Sequence, residues 1–231
     1  EAFEADAGTH GENTAIGYYA MQAATTGTEN TAVGKGALGV GALTGDANTC
    51  VGDNAGAALT SGQANVAIGA YALDGCTTET DDNIAIGYNA MGGAIGTEAV
   101  NDCVAIGSDA LSGDLDSTDG ANKASGTVSI GKSALAGLTS GGGNVAIGKY
   151  AMFEESLGSN NTVVGFYAMS DSLASLTNTN NTFIGNWAGG GTWEGTASTG
   201  NVAVGSGAMN GALDDADNNT IIGYGANPSA V

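Results

Sequence analysis

Arginine is absent from the chain, histidine occurs once, and four lysines face 24 acidic residues, for a formal net charge of −20. A surface of that sign repels phosphate backbones and anionic bilayers, so nucleic acid and membrane insertion are excluded as expected partners. The single His10 precedes the first repeat, which leaves no material for a histidine-based triad or metal site. Lys35, Lys123, Lys132 and Lys149 are scattered, and a polysaccharide lyase needs clustered cations to stabilise developing negative charge. The expectation is a protein that is not an enzyme and needs no cofactor. No apolar run approaches the twenty or so residues of a membrane span, and no basic-then-apolar leader opens the chain. Glu1 in place of methionine suggests a processed or partial chain. Three cysteines, at 50, 76 and 103, form no CxxC pair and are expected to act as small apolar residues, a disulfide between coils or chains being the alternative. The only proline is Pro228, and aromatics make up 6% of the chain.

What is abundant is glycine, with 41 residues, beside a 42% hydrophobic content rich in alanine. There is no triplet period, which excludes collagen, and the apolar fraction argues against disorder. The apolar residues fall instead in a nine-residue unit, N-[T/V/I]-x-[I/V]-G-x-x-A-[L/M], present in twelve copies. The copies start at 13, 30, 48, 65, 83, 103, 127, 144, 161, 181, 201 and 219, and only the connectors between them vary in length. One solenoid coil per repeat with loops on one side produces that pattern. The predicted fold is an all-β, single-chain parallel β-solenoid of about twelve coils spanning 13–227. Residues 1–12 form an irregular segment or cap, and 228–231 an exit.

Each position of the unit carries an expectation. The β-branched start is a short strand. Its fourth position holds Ile16, Val33, Val51, Ile68, Ile86, Ile106, Ile130, Ile147, Val164, Ile184, Val204 and Ile222, predicted to stack as the interior ladder. The fifth holds Gly17, Gly34, Gly52, Gly69, Gly87, Gly107, Gly131, Gly148, Gly165, Gly185, Gly205 and Gly223, predicted corners with positive φ or no room for a Cβ. The asparagine at the first position suits a stacked amide ladder, interrupted at Cys103 and Thr127, where a local distortion is expected. Alanine fills the eighth position, and Leu or Met the ninth except at Gly56, Gly189 and Asn227. With the fourth position inside, the third would face out. Its Ala15, Ala32, Ala67, Ala85, Ala105, Ala146 and Ala203 form a candidate inter-chain stripe, buried by threefold self-association.

The units NTAIGYYAM at Asn13, NTAVGKGAL at Asn30 and NVAIGKYAM at Asn144 resemble the head repeats of trimeric autotransporter adhesins and the repeat arrays of phage tail-fibre proteins. The coils of 17 residues and more are longer than those of the adhesin heads, and the tail-fibre pattern is closer. The resemblance implies a left-handed β-roll, a homotrimer and display outside the cell, on a virion or bacterial surface. The expected function is then a stiff structural or adhesive rod for host or surface attachment. The alternative is an extracellular filament or surface-layer unit built by end-to-end stacking.

Three further features carry possible contacts. Aromatics recur in the two variable positions after the corner glycine, one of which should be exposed and could stack on a cell-surface glycan. Trp193, in the connector GGGTWEGTAS, is the candidate receptor contact. The acidic connectors Asp81–Asp82, Asp114–Asp116, Glu154–Glu155 and Asp214–Asp215–Asp217 are expected to be solvated loops, with loosely bound Ca²⁺ as their alternative use. An ice-binding solenoid needs an unbroken threonine array. The second position supplies threonine at 14, 31, 49, 162, 182 and 220 only.

Overall fold

A computed structural model describes residues 11–77, 80–94, 99–115, 124–171, 176–191, 196–211 and 216–227. Each repeat contributes one three-residue strand, taken from its second to fourth positions, where β-branched side chains suit extended backbone. In order these are β1 (Thr14–Ile16), β2 (Thr31–Val33), β3 (Thr49–Val51), β4 (Val66–Ile68), β5 (Ile84–Ile86) and β6 (Val104–Ile106). They continue as β7 (Val128–Ile130), β8 (Val145–Ile147), β9 (Thr162–Val164), β10 (Thr182–Ile184), β11 (Val202–Val204) and β12 (Thr220–Ile222). All twelve lie in one parallel sheet in sequence order. The register never slips, so Ala15 sits on Ala32, Cys50 on Ala67 and Phe183 on Ala203. This is a β-solenoid, and the described residues contain no helix.

Hydrogen bonding between coils extends well past the three strand residues. In successive coils the Thr31 N–H donates to the Asn48 carbonyl and the Gly34 N–H to the Ile16 carbonyl, both at 2.8 Å. Beyond the corner, the Tyr71 N–H donates to the Asp53 carbonyl and the Leu73 N–H to the Ala90 carbonyl, each at 2.9 Å. Such pairing satisfies turn backbone that burial would otherwise leave without partners. It is made possible by left-handed residues at regular positions. The corner glycines have φ between 132° and 149°, and the seventh position is also left-handed in every repeat, from Tyr19 (60°) to Gly225 (61°). The ninth position follows suit from Met21 (51°) to Met209 (55°), as does the residue before each unit, Ala64 at 55° for example.

The corner glycines are confirmed on both counts expected of them. A Cβ on Gly69 would lie 2.4 Å from the Gly87 carbonyl oxygen, and the same clash recurs from Gly17 to Gly205. Glycine is thus required by the stacking of one corner on the next as well as by φ.

The interior differs from the sequence expectation in one respect: inside and outside are exchanged. The fourth-position residues Ile16, Val33, Val51, Ile68, Ile86, Ile106, Ile130, Ile147, Val164, Ile184, Val204 and Ile222 are not the core ladder. They are half-buried or exposed, with Ile68 and Ile184 each at 40%. The third position faces in. Ala32, Ala67, Ala85, Ala105, Ala146 and Ala203 are fully buried, and Ala15, in the first coil, packs against the same core. These alanines therefore cannot form an exposed inter-chain stripe. The physical reason is volume. The ninth-position Leu and Met side chains (Leu38, Leu73, Met91, Leu111, Leu135, Met152) turn back beneath the sheet and fill the coil. Connector leucines 43, 59, 115 and 138 join them, which leaves little depth under most strands and favours alanine there, with Val163 and Phe183 as the larger exceptions.

The amide ladder is present as expected. The Asn48 backbone N–H and Nδ2 both donate to Asn30 Oδ1, at 2.8 and 3.0 Å. Asn65 repeats this on Asn48, and Asn83 on Asn65. Each Nδ2 also reaches a connector carbonyl, as Asn48 does to Gly62 at 2.8 Å. The ladder stops at Cys103, whose Sγ donates instead to the Ala124 carbonyl at 3.0 Å, and at Thr127, whose buried hydroxyl has no hydrogen-bond partner among the described residues. It resumes from Asn144 through Asn161, Asn181 and Asn201 to Asn219. The expected distortion does not reach the sheet, because β5, β6 and β7 pair in unbroken register.

Candidate functional site

Two surfaces emerge from this architecture. The first is the outer face of the sheet. Second and fourth positions share a face in a strand, and both point away from the core in every coil. Two parallel columns of Thr, Val and Ile therefore run along twelve strands, about 50 Å at the usual strand spacing. From Val66 to Val145 the second column has no threonine, so the middle five coils present only aliphatic residues. That is the kind of continuous apolar surface a lone soluble chain rarely exposes.

The second surface lies beyond the corner glycine. Sixth-position side chains project outward, among them Tyr18, Tyr88, Phe166 and Tyr224. Seventh-position side chains lie back along the rod and stack. The Tyr150 and Tyr167 ring centroids are 4.8 Å apart, and Tyr167 and Trp187 are 4.9 Å apart with their planes 4° from parallel. Lys149 lies over the Tyr150 ring at 4.9 Å. The sixth-position aromatics are exposed, while the seventh-position ones run from half-buried (Tyr150, Tyr167, Trp187) to exposed (Tyr19 at 40%, Tyr71 at 37%), so the expected exposed column is the sixth.

The acidic connectors divide. Asp46 accepts from both the N–H and the hydroxyl of Thr28, at 2.7 and 3.0 Å, and Asp217 serves Thr199 in the same way. Asp81 accepts from the Gln63 N–H at 2.8 Å. These residues form a second polar ladder, two positions before the asparagine, which the motif did not reveal. Glu155 is not a solvated loop residue: it is fully buried, and its Oε2 accepts from Asn178 Nδ2 at 2.8 Å. No group of three or more His, Cys, Asp or Glu is arranged to hold a metal ion among the described residues. Asp116, Asp214, Asp215, His10, Pro228 and the candidate contact Trp193 lie outside the described residues.

The cysteines are free and buried. Burial pushes the Cys50 thiol up to about 12 and the Cys103 thiol to about 11, while Cys76 rises well above its ordinary value for the same reason. All three are thus held as neutral thiols, too basic to act as nucleophiles near neutral pH. No described helix is long and apolar enough to cross a membrane.

No family model, curated protein or solved structure matches the chain.

Proposed function

We propose that the chain is a segment of a trimeric fibre displayed on a virion or bacterial surface, giving a stiff rod for host or surface attachment. One observation carries the reading: the paired columns of β-branched residues on the outer face of the sheet, running unpartnered through all twelve strands. Threefold association would bring three such faces together about an axis parallel to the rod and close the contact. The stripe is the one formed by the second and fourth positions, in place of the alanines first expected to form it. Fully burying an aliphatic side chain contributes roughly 1.5–3 kcal/mol. A contact repeated in every coil then exceeds the cost of association, of order 10 kcal/mol. The rod itself follows from in-register stacking, and the left-handed roll comes with the resemblance to tail-fibre and adhesin repeats.

Light scattering on a size-exclusion column at two protein concentrations tests this. The expected result is a sharp trimer at both, and dissociation when Ile86→Lys and Ile106→Lys place like charges in the apolar middle of the stripe. A monomeric parent chain overturns the reading. An open-ended, concentration-dependent polymer would replace it with end-to-end filament assembly.

A second reading has its own observation: threonine at 14, 31, 49, 162, 182 and 220 stands on the outer face towards the two ends of the sheet, with Val202 interrupting the second set. A monomer with measurable thermal hysteresis would identify that face as an ice-ordering surface. The aliphatic block between the two sets of threonines favours the fibre.

A further inference from the structure

The stacked aromatic row ends at Trp187. In the next two coils the same position holds Gly207 and Gly225, with φ of 66° and 61°. Among the described residues, a Cβ on Gly207 would meet only the Gly225 Cα, at 3.9 Å, and one on Gly225 would meet nothing within 4 Å. One face of the indole is covered by Tyr167, 4.9 Å away and nearly parallel. The other face therefore looks along the rod into the space the two glycines leave open. A Cβ on Gly190 would lie 2.9 Å from Trp187 Cε3, so glycine at that position leaves room for the indole against its own coil.

The result is a groove of about 550 Å³. Its apolar wall is the Trp187 face, and Tyr224, 90% exposed, stands two coils beyond. The polar lining comes from Asn186 and Ser206 at the sixth position and from Asn210, which follows Met209. Asn186 Nδ2 donates to the Phe166 carbonyl at 3.3 Å, which orients the amide.

We propose that this groove binds a neutral saccharide, with the C–H face of a pyranose on Trp187 and ring hydroxyls on Asn186, Ser206 and Asn210. An aromatic face flanked by amides and a hydroxyl fits a ring that is apolar on one side and hydroxylated at its rim. A purely apolar ligand would strand three polar side chains. A nucleotide or acidic sugar would bring anionic charge to a chain of net charge −20 with no cationic residue in the groove. The proposal deepens the attachment reading by naming the chemistry of the partner. Because the groove is built within one chain, it stands or falls separately from the trimer.

The test uses the full chain carrying Trp193→Phe, which leaves Trp187 as the single indole of the original two. Maltohexaose, cellohexaose and chitotetraose are titrated to about 20 mM, a range that captures weak millimolar sites. The expected result is a saturable change in indole emission with at least one of these probes, one site per chain, and none with sialyllactose. Gly207→Tyr extends the stack over the open face at a φ that Tyr19, Tyr71 and Tyr150 already adopt, so the fold tolerates it. It is expected to weaken binding by more than about tenfold. Silence with all three neutral probes overturns the proposal, as does binding that survives Gly207→Tyr. A monomer that binds the sugar removes the fibre and keeps the groove; a trimer that ignores all three does the reverse.

Discussion

Phe183 and Gly189 occupy one volume. A Cβ built on Gly189 would lie 2.9 Å from two ring carbons of Phe183, the largest fully buried side chain among the described residues, so the ring fills the place that Leu or Met takes in other coils. The same exchange occurs in the third coil, where a Cβ on Gly56 would meet Cys50 Sγ at 2.6 Å. Phe183→Ala should therefore open a cavity and cost about 3–5 kcal/mol. Gly189→Leu alone should overpack by about 1–3 kcal/mol, although its φ of 62° suits the position. The double variant restores the common Ala–Leu pairing. A denaturation cycle should give a favourable coupling of at least about 2 kcal/mol; additive effects would refute the shared volume.

Corner glycines should tolerate no side chain. Gly69→Ala combines a φ of 132° with a Cβ 2.4 Å from the Gly87 carbonyl oxygen. The expected loss is about 2 kcal/mol or more, read as a lower urea midpoint. Because each coil contacts only its neighbours, amide exchange should quicken most in β3, β4 and β5.

Ala64 offers the opposite case. It is exposed, sits at φ 55°, and its N–H donates to the Asp46 carbonyl, a bond that any non-proline residue keeps. Gly126, Gly143 and Gly200 fill the same position in other coils. Ala64→Gly should stabilise by about 0.5–1 kcal/mol, the relief of left-handed strain exceeding the added freedom of the unfolded chain. A fall in thermal midpoint would contradict this.

The broken amide ladder can be mended. Cys103→Asn together with Thr127→Asn would join two ladder segments, and the second change removes a buried hydroxyl that has no partner among the described residues. Each restored hydrogen bond is worth about 1 kcal/mol, and losing the orphan oxygen adds to the gain. The pair should raise the denaturation midpoint more than either change alone.

The buried thiols make stability depend on alkaline pH. Cys50 and Cys103 stay protonated in the folded state up to about 12 and 11, while the unfolded chain releases those protons near the ordinary value of 9.0. Their contribution is complete below about pH 9 and declines as pH rises towards those folded values, by about 1.4 kcal/mol per pH unit and thiol. Cys50→Ala, which supplies the usual third-position residue, should flatten the urea midpoint against pH between 9 and 11. An unchanged slope would contradict the assignment. The native protein should also resist a thiol-reactive dye until denatured.

Much of this was legible in the sequence because the repeat reports each position twelve times over. The strand, the corner glycine, the amide ladder and its interruptions all follow from residue chemistry at a fixed position. The orientation of the strand did not follow, because the bulkier Ile/Val column reads as the interior when side-chain size is the only guide. The correcting signal was present: threonines 14, 31, 49, 162, 182 and 220 share a strand face with the Ile/Val column, a composition suited to a surface. So was the pairing of exceptions, since Gly56, Gly189 and Asn227 fall in coils where Cys50, Phe183 and Ile221 replace the usual third-position alanine, although Val163 keeps Met169 beside it. Glu155 looked like any connector acid; its burial depends on the packing of the following coil, where Asn178 meets it. The Trp187 groove was visible only as two glycines following an aromatic run, a pattern without meaning until the stack had a direction.

In-register stacking also fixes how the rod yields under load. The bonds joining one coil to the next lie along the long axis, so a pull between the two ends peels coils from an end one at a time. Each coil holds between 17 and 24 residues and would release a length of about 60–80 Å when stripped. Such a filament would behave as a graded tether, giving way in steps under tension while the coils still seated keep their register.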